Sequence, residues 1–261
     1  MLQLDSVRHM ALMSRAADGK WTDVEGPRRG VMRNAVLKKC VHNQAMAWLW
    51  VTSFVMLTMV PGVAQETAPR SLRPGDVNTE FSRVYIYVDR TTALGHSHGI
   101  EGKFKSGNMS ISASATGELL FDMDSFDADT ETARKVFSIE KEIDAPTRKK
   151  VNENMRGPEI LDVKEYPEAR LARATLTPTG KTSSRKLPEF LLEGDFTLHG
   201  TTRRIKALCD LEQKEGWHHV RGTFKILQSD FGIKPFRKML GAVGIKDELV
   251  IFGDLWLVPA S

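Results

Sequence analysis

Residues 81–258 predict an all-β domain, an antiparallel sandwich or barrel broken once by a short helical stretch. From Ser82 onward the apolar residues take up a period of two, with Val84, Ile86 and Val88 alternating with Tyr85, Tyr87 and Asp89, as a strand requires. Runs of this kind then recur along the chain, most of them separated by Gly, Pro, Asn or charged turns. A single region, Asp129–Met155, drops the alternation and is rich in Lys, Glu, Arg and Ala.

In chain order the strand-like runs after the first are Gly99–Lys105, Met109–Ala113, Glu118–Phe126, Ala169–Thr177, Glu189–His199, Arg203–Gln213, Trp217–Gln228 and Glu248–Val258. Between the third and fourth of these, Val136 and Ile139 are helically spaced, as are Val151 and Met155. Asp144-Ala145-Pro146 reads as a cap followed by a first-turn proline. Two short helices are therefore expected, starting near Asp129 and Pro146 and ending by Gly157-Pro158. In Glu189–His199, Phe190, Leu192, Phe196 and Leu198 share one face. The last run is apolar on both faces, Leu249, Ile251, Leu255 and Leu257 against Val250, Phe252, Trp256 and Val258, so it must bury both. In a barrel one face would line the interior and the other would meet a helix or a partner. A closed barrel of about eight strands holds either its own side chains or one small ligand, and this pattern fits both.

The residues ahead of the domain read as a leader. Cys40 to Gln65 contains no charged residue, and its centre, Ala45–Val60, is apolar. Arg33, Lys38 and Lys39 precede it, and Pro61-Gly62-Val63-Ala64 closes it with small residues at the positions a signal peptidase reads. Residues 32–64 are expected to be a cleaved signal peptide. The rival, a membrane anchor, needs roughly 20 apolar residues, and this core is shorter. Residues 1–31 form an extension to which no fold is assigned, and the polar 65–80 a flexible lead-in. The working protein is thus expected in the periplasm or outside the cell, with no transmembrane anchor after cleavage.

Charge excludes one class of function. The chain has 37 Lys+Arg and 33 Asp+Glu, a formal +4, but 8 basic and 4 acidic residues lie within 1–64, leaving 29 of each. A neutral domain lacks the basic balance that nucleic-acid binding requires. Cys40 leaves with the leader, so Cys209 has no partner for an intramolecular disulfide.

Among chemistry-bearing patterns, Gly95-His96-Ser97-His98-Gly99 stands out. His-x-His on a strand puts two imidazoles on one face, an arrangement used for Zn²⁺ or Cu²⁺. His96 and His98 are the candidate ligands of an alternative, metal-binding or metal-dependent protein; a polar turn is the plainer reading. Asp122, Asp124, Asp127 and Asp129 lack the Gly and Glu positions of a Ca²⁺ loop. Gly95-His96-Ser97-His98-Gly99 also spells Gly-x-Ser-x-Gly, but it runs into a predicted strand rather than a strand-to-helix turn, so it is not read as a nucleophile elbow. Neither a cofactor nor catalysis is expected.

Four segments, in order, resemble the YceI-like family: Phe121–Phe126, Asp162–Ala169 around Tyr166-Pro167, Leu198-His199-Gly200-Thr201-Thr202-Arg203, and Ser229-Asp230-Phe231-Gly232-Ile233. The resemblance spans roughly Phe81 to Val258. It departs at Ile160-Leu161, where the family often has paired phenylalanines, and at the loop Lys234-Pro235-Phe236 through Met239-Leu240-Gly241-Ala242-Val243-Gly244. The resemblance implies a lipocalin-like antiparallel barrel that carries a polyisoprenoid or other long amphiphile in its interior. Candidates for lining that interior are Phe121, Met123, Phe190, Leu192, Phe196, Phe224, Ile226, Phe252 and Trp256. Each CH₂ moved from water into such a channel contributes about 0.8 kcal/mol, so binding needs no catalytic group. A second copy of the chain, forming a homodimer, is a further admissible partner.

Overall fold

The computed structural model describes residues 72–111 and 116–259; the expected extension and signal peptide lie outside the described residues. Eight antiparallel strands close into a barrel: β1 (Arg83–Arg90), β2 (His98–Asn108), β3 (Gly117–Ala128), β4 (Glu168–Thr182), β5 (Pro188–Leu198), β6 (Thr201–Lys214), β7 (Trp217–Leu227) and β9 (Val243–Leu257). Each strand pairs with the next, β7 pairs with β9, and β9 pairs back with β1. Closure leaves the barrel without free edges. A two-residue strand β8 (Arg237–Lys238) adds to β9 at one rim. The chain belongs to the fold class that its alternation predicts.

Local chemistry fixes the turns. The β5–β6 and β6–β7 hairpins have two-residue loops, His199-Gly200 and Glu215-Gly216, with positive φ at all four residues. That is the turn whose twist matches paired strands. Helix α1 (Glu131–Val136) starts at Thr130, whose side chain accepts from the Ala133 N–H at 3.0 Å. Helix α2 (Ala145–Arg156) starts at Asp144, which accepts from the Thr147 N–H at 2.8 Å, with Pro146 in the first turn.

The run Met109–Ala113 does not form the strand expected of it over its described residues, 109–111. The Met109 N–H instead donates to the Gly75 carbonyl, and its side chain is buried. Residues 72–80 cross the same end: Val77 bridges to Leu257 and Asp76 to Asn108. Buried Val77, Met109 and Leu257 therefore seal one end of the barrel. At the other end lie α2, the 158–167 segment, and the loops after β1 and β7.

Helix α2 is clamped on β3. The Ala128 N–H donates to Asn152 Oδ1 at 2.8 Å, Asn152 Nδ2 donates to Asp127 at 2.7 Å, and Arg148 Nε donates to the Ala128 carbonyl at 2.7 Å. Helix α1 covers the outside instead, with Ala133 packed against Tyr85 and Phe252. Gly99 permits that approach, since a β-carbon there would lie 2.9 Å from the Ala133 carbonyl oxygen.

Candidate functional site

Alternate residues of the strands point inward and their registers agree around the barrel. Val84 faces Gly102 and Gly253, Ile86 faces Ile100 and Ile251, and Phe224 and Ile226 face Ile251 and Leu249. The result is a continuous apolar interior containing a cavity of about 200 Å³. All eight barrel strands contribute to its wall, and Val151, Asn154 and Met155 of α2 close over it, with Ile160 and Leu161 just beyond the helix.

Of the residues expected to line the interior, Phe121, Met123, Leu192, Phe196, Phe224 and Ile226 do so. Phe190 is buried in the same core but outside the cavity wall, on the inward face of β5 toward the sealed end. Phe252 and Trp256 are placed differently from expectation. On β9 the inward residues are Leu249, Ile251, Gly253 and Leu255, so period two turns Phe252 and Trp256 outward. Phe252 stacks on Tyr85 at 6.2 Å beneath α1, and Trp256 stacks on His219 at 3.9 Å and meets Phe81 edge-on. The outer face of β9 is covered less completely than its composition predicts: Phe252 is buried, whereas Val250, Trp256 and Val258 are half-buried. The outer face is covered by a helix and the lead-in segment.

Among the described residues, three polar ones other than glycine border the cavity: His98, Asn154 and Gln228. All three lie toward the α2 end. Gln228 is tied down, its Nε2 donating to the Lys246 carbonyl at 2.8 Å. His98 sits at the start of β2 with Nδ1 2.7 Å from Asp129 Oδ2, and the other Asp129 oxygen accepts from the Gly99 N–H at 3.2 Å. That pairing leaves Nε2 as the ring nitrogen not held by the carboxylate. His96 lies in the loop before β2, not on the strand; partial burial, then the nearby Lys141 and His98, lower its pKa. Among the described residues no group of three His, Cys, Asp or Glu side chains is placed to hold a metal ion. Cys209 points into the barrel, and burial, followed by the Asp210 and Glu189 charges, pushes its thiol up to about 12.

A family model described as the YceI-like domain matches residues 76–255. The chain belongs to the YceI-like family. Curated relatives include a UPF0312 protein of Pseudomonas savastanoi pv. phaseolicola, 37% identical over 82 residues. Another, from Pseudomonas putida strain W619, is 35% identical over 82 residues. Each match covers 29% of this chain and 40% of the relative, so the chain spans well under half the length of the curated relatives it matches. Among solved structures, BcnA of Burkholderia cenocepacia is similar with a TM-score of 0.50 and 19% identity, covering 70% of this chain and 99% of BcnA. A polyisoprenoid binding domain from Saccharophagus degradans aligns with a TM-score of 0.47 and 13% identity, over 72% of this chain and all of that domain.

Within this YceI-like barrel, sequence reading missed Ile100, Phe104, Ile205, Ala207 and Cys209 as wall residues, along with the α2 contribution. The signal was present for the strands. Ile205, Ala207 and Cys209 alternate on β6, but small or isolated apolar residues give a weaker pattern than the aromatic ones. No helix among the described residues is long and apolar enough to cross a membrane.

Proposed function

We propose that this chain binds a long, lipid-like amphiphile of the polyisoprenoid class inside the barrel, without chemistry, in the cell envelope outside the cytoplasm. The observation that carries the reading is the cavity: apolar along its length, sealed at the Val77–Met109–Leu257 end, and bordered by polar His98 and Asn154 only toward the other. A tail enters from the α2 end, and its polar head stays beside His98 and Asn154. Asn154 is exposed and Asp129 orients the His98 ring, so both suit a head group in contact with water. The ligand class is the one the family resemblance implies, and the export expected from Arg33 to Ala64 sets the compartment.

Native mass spectrometry of gently purified protein, followed by lipid extraction, tests this. The expected result is a stoichiometric added mass that extraction removes and identifies as a prenyl chain. A protein that carries only its own mass, and that takes up no added polyprenol, refutes the reading.

A further inference from the structure

We propose that the rim beside the cavity mouth is a docking surface for an anionic phospholipid membrane. Strand β8 pairs back on β9, Arg237 with Gly244 and Lys238 with Val243, making a small hairpin that projects from the rim. At its tip Met239 is 74% exposed and Leu240 fully exposed. Both hold positive φ, 51° and 55°, a region that bulky residues avoid. Leu94, 73% exposed, stands in the neighbouring loop. The two loops are tied: Thr92 Oγ1 donates to the Ala242 carbonyl at 2.6 Å, and the Thr91 N–H donates to the Gly244 carbonyl at 2.9 Å. Single exposed apolar residues are ordinary. Three held together at one rim, two of them in a disfavoured backbone conformation, form a protruding apolar edge.

Charge selects the occupant. From Gly232 to Lys246 there are four basic residues and no acidic one. Lys246 pairs with Asp89, whereas among the described residues no ion pair engages Lys234, Arg237 or Lys238. Lys238 Nζ lies 5.2 Å from the centre of the Phe236 ring. Apolar tips flanked by unpaired cations are the pattern of a surface that inserts shallowly among anionic head groups. The base of the hairpin also continues into the site, since Phe236 and Ile245 border the cavity. A bilayer seated on the rim would face the mouth, so that a lipid could pass between membrane and barrel without crossing water. That purpose rests on the proposed ligand, but the docking does not.

Flotation with vesicles free of polyisoprenoid tests the docking separately, on wild type and variants checked to share one N-terminus. Wild-type protein is expected to partition onto phosphatidylcholine vesicles containing phosphatidylglycerol. Partitioning should fall about tenfold on pure phosphatidylcholine or in high salt. Met239→Asn/Leu240→Asn, which suits left-handed backbone and removes the apolar tips, should fall about tenfold as well. Lys234→Gln/Arg237→Gln/Lys238→Gln should do the same while abolishing the lipid-charge dependence. If that triple variant fails to fold, the asparagine pair decides. Equal partitioning of folded wild type and variants overturns the proposal, as does a wild type that ignores anionic vesicles. A wild-type dimer that the asparagine pair dissociates, with no vesicle binding, also overturns it and assigns the rim to a second copy. Vesicle binding with no prenyl uptake would leave the rim standing and the ligand reading refuted.

Discussion

Ala207→Phe should convert the barrel from a container into a filled core. Ala207 is buried on β6 and borders the cavity between Ile205 and Cys209. A phenyl ring is benzene-sized, and a cavity of roughly 150 Å³ takes one benzene. One ring therefore consumes most of the available volume of about 200 Å³. It displaces about one five-carbon isoprene unit, worth about 4 kcal/mol at 0.8 per buried carbon, or nearly a thousandfold in affinity. Stability holds or rises. Filling about 150 Å³ recovers up to about 3–4 kcal/mol at 24 cal/mol per Å³, and overpacking takes back about 1–3. The assay is a displacement titration with a fluorescent prenyl probe, run beside thermal melts. Leu208→Phe, on the exposed face of the same strand, is the control and should bind as wild type does. A folded Ala207→Phe protein with wild-type affinity would refute the claim that the ligand occupies this cavity.

Three further outcomes follow from the same structure. Cys209, buried and with its thiol pushed up to about 12, should resist iodoacetamide at pH 8 and react fully only in denaturant; labelling of the native protein at a free thiol's rate contradicts that placement. Asn152→Ala removes the acceptor of the Ala128 N–H and a donor to Asp127, so urea melts should show a loss of about 1–3 kcal/mol, and an unchanged midpoint would show that the clamp contributes nothing. For Asp89, burial raises the carboxyl's pKa but the hydrogen bonds from Lys246 and Ser97 outweigh it, and the net shift is downward. Its stabilisation is thus complete above the ordinary carboxylate range and disappears as pH falls through the depressed value. Melting temperatures of wild type and Asp89→Asn should converge as pH falls below the ordinary carboxylate range, whereas curves that stay parallel throughout the acid range would exclude this link.

The barrel was legible because its information is local. Alternation in β5, β6, β7 and β9 follows from inward and outward residues lying on different sides of one sheet, and the caps at Asp144 and Pro146 announce α2. Three things were not legible, each because it depends on partners distant in sequence. Met109 looks like strand but is held by Gly75, which lies more than thirty residues earlier. A strand apolar on both sides does not say which side is inside, and Phe252 and Trp256 face outward only because α1 and Phe81 cover them. His96 and His98 share a motif but not a role, since Asp129, brought alongside by the end of β3, holds one ring of the pair.

The cavity is smaller than a long prenyl chain, so uptake of one would require the barrel to widen, and the strand ladders indicate where. The β5–β6, β6–β7 and β7–β9 pairings run without interruption. The β2–β3 and β4–β5 pairings each shift register twice, and β3–β4 once. Bulges leave residues unpaired and bend a strand, so this side offers fewer backbone bonds against displacement. That wall also carries a run of packed interior rings, with Phe104 4.8 Å from Phe121 and Phe121 6.0 Å from Phe196. Helix α2 rides on that wall through Asn152 and Arg148, while the regular strands opposite supply a fixed surface. Loosening the clamp should therefore speed uptake while lowering stability, so Asn152→Ala is expected to load prenyl probe faster than wild type in stopped flow. A variant that is less stable and yet loads more slowly would place the yielding wall elsewhere.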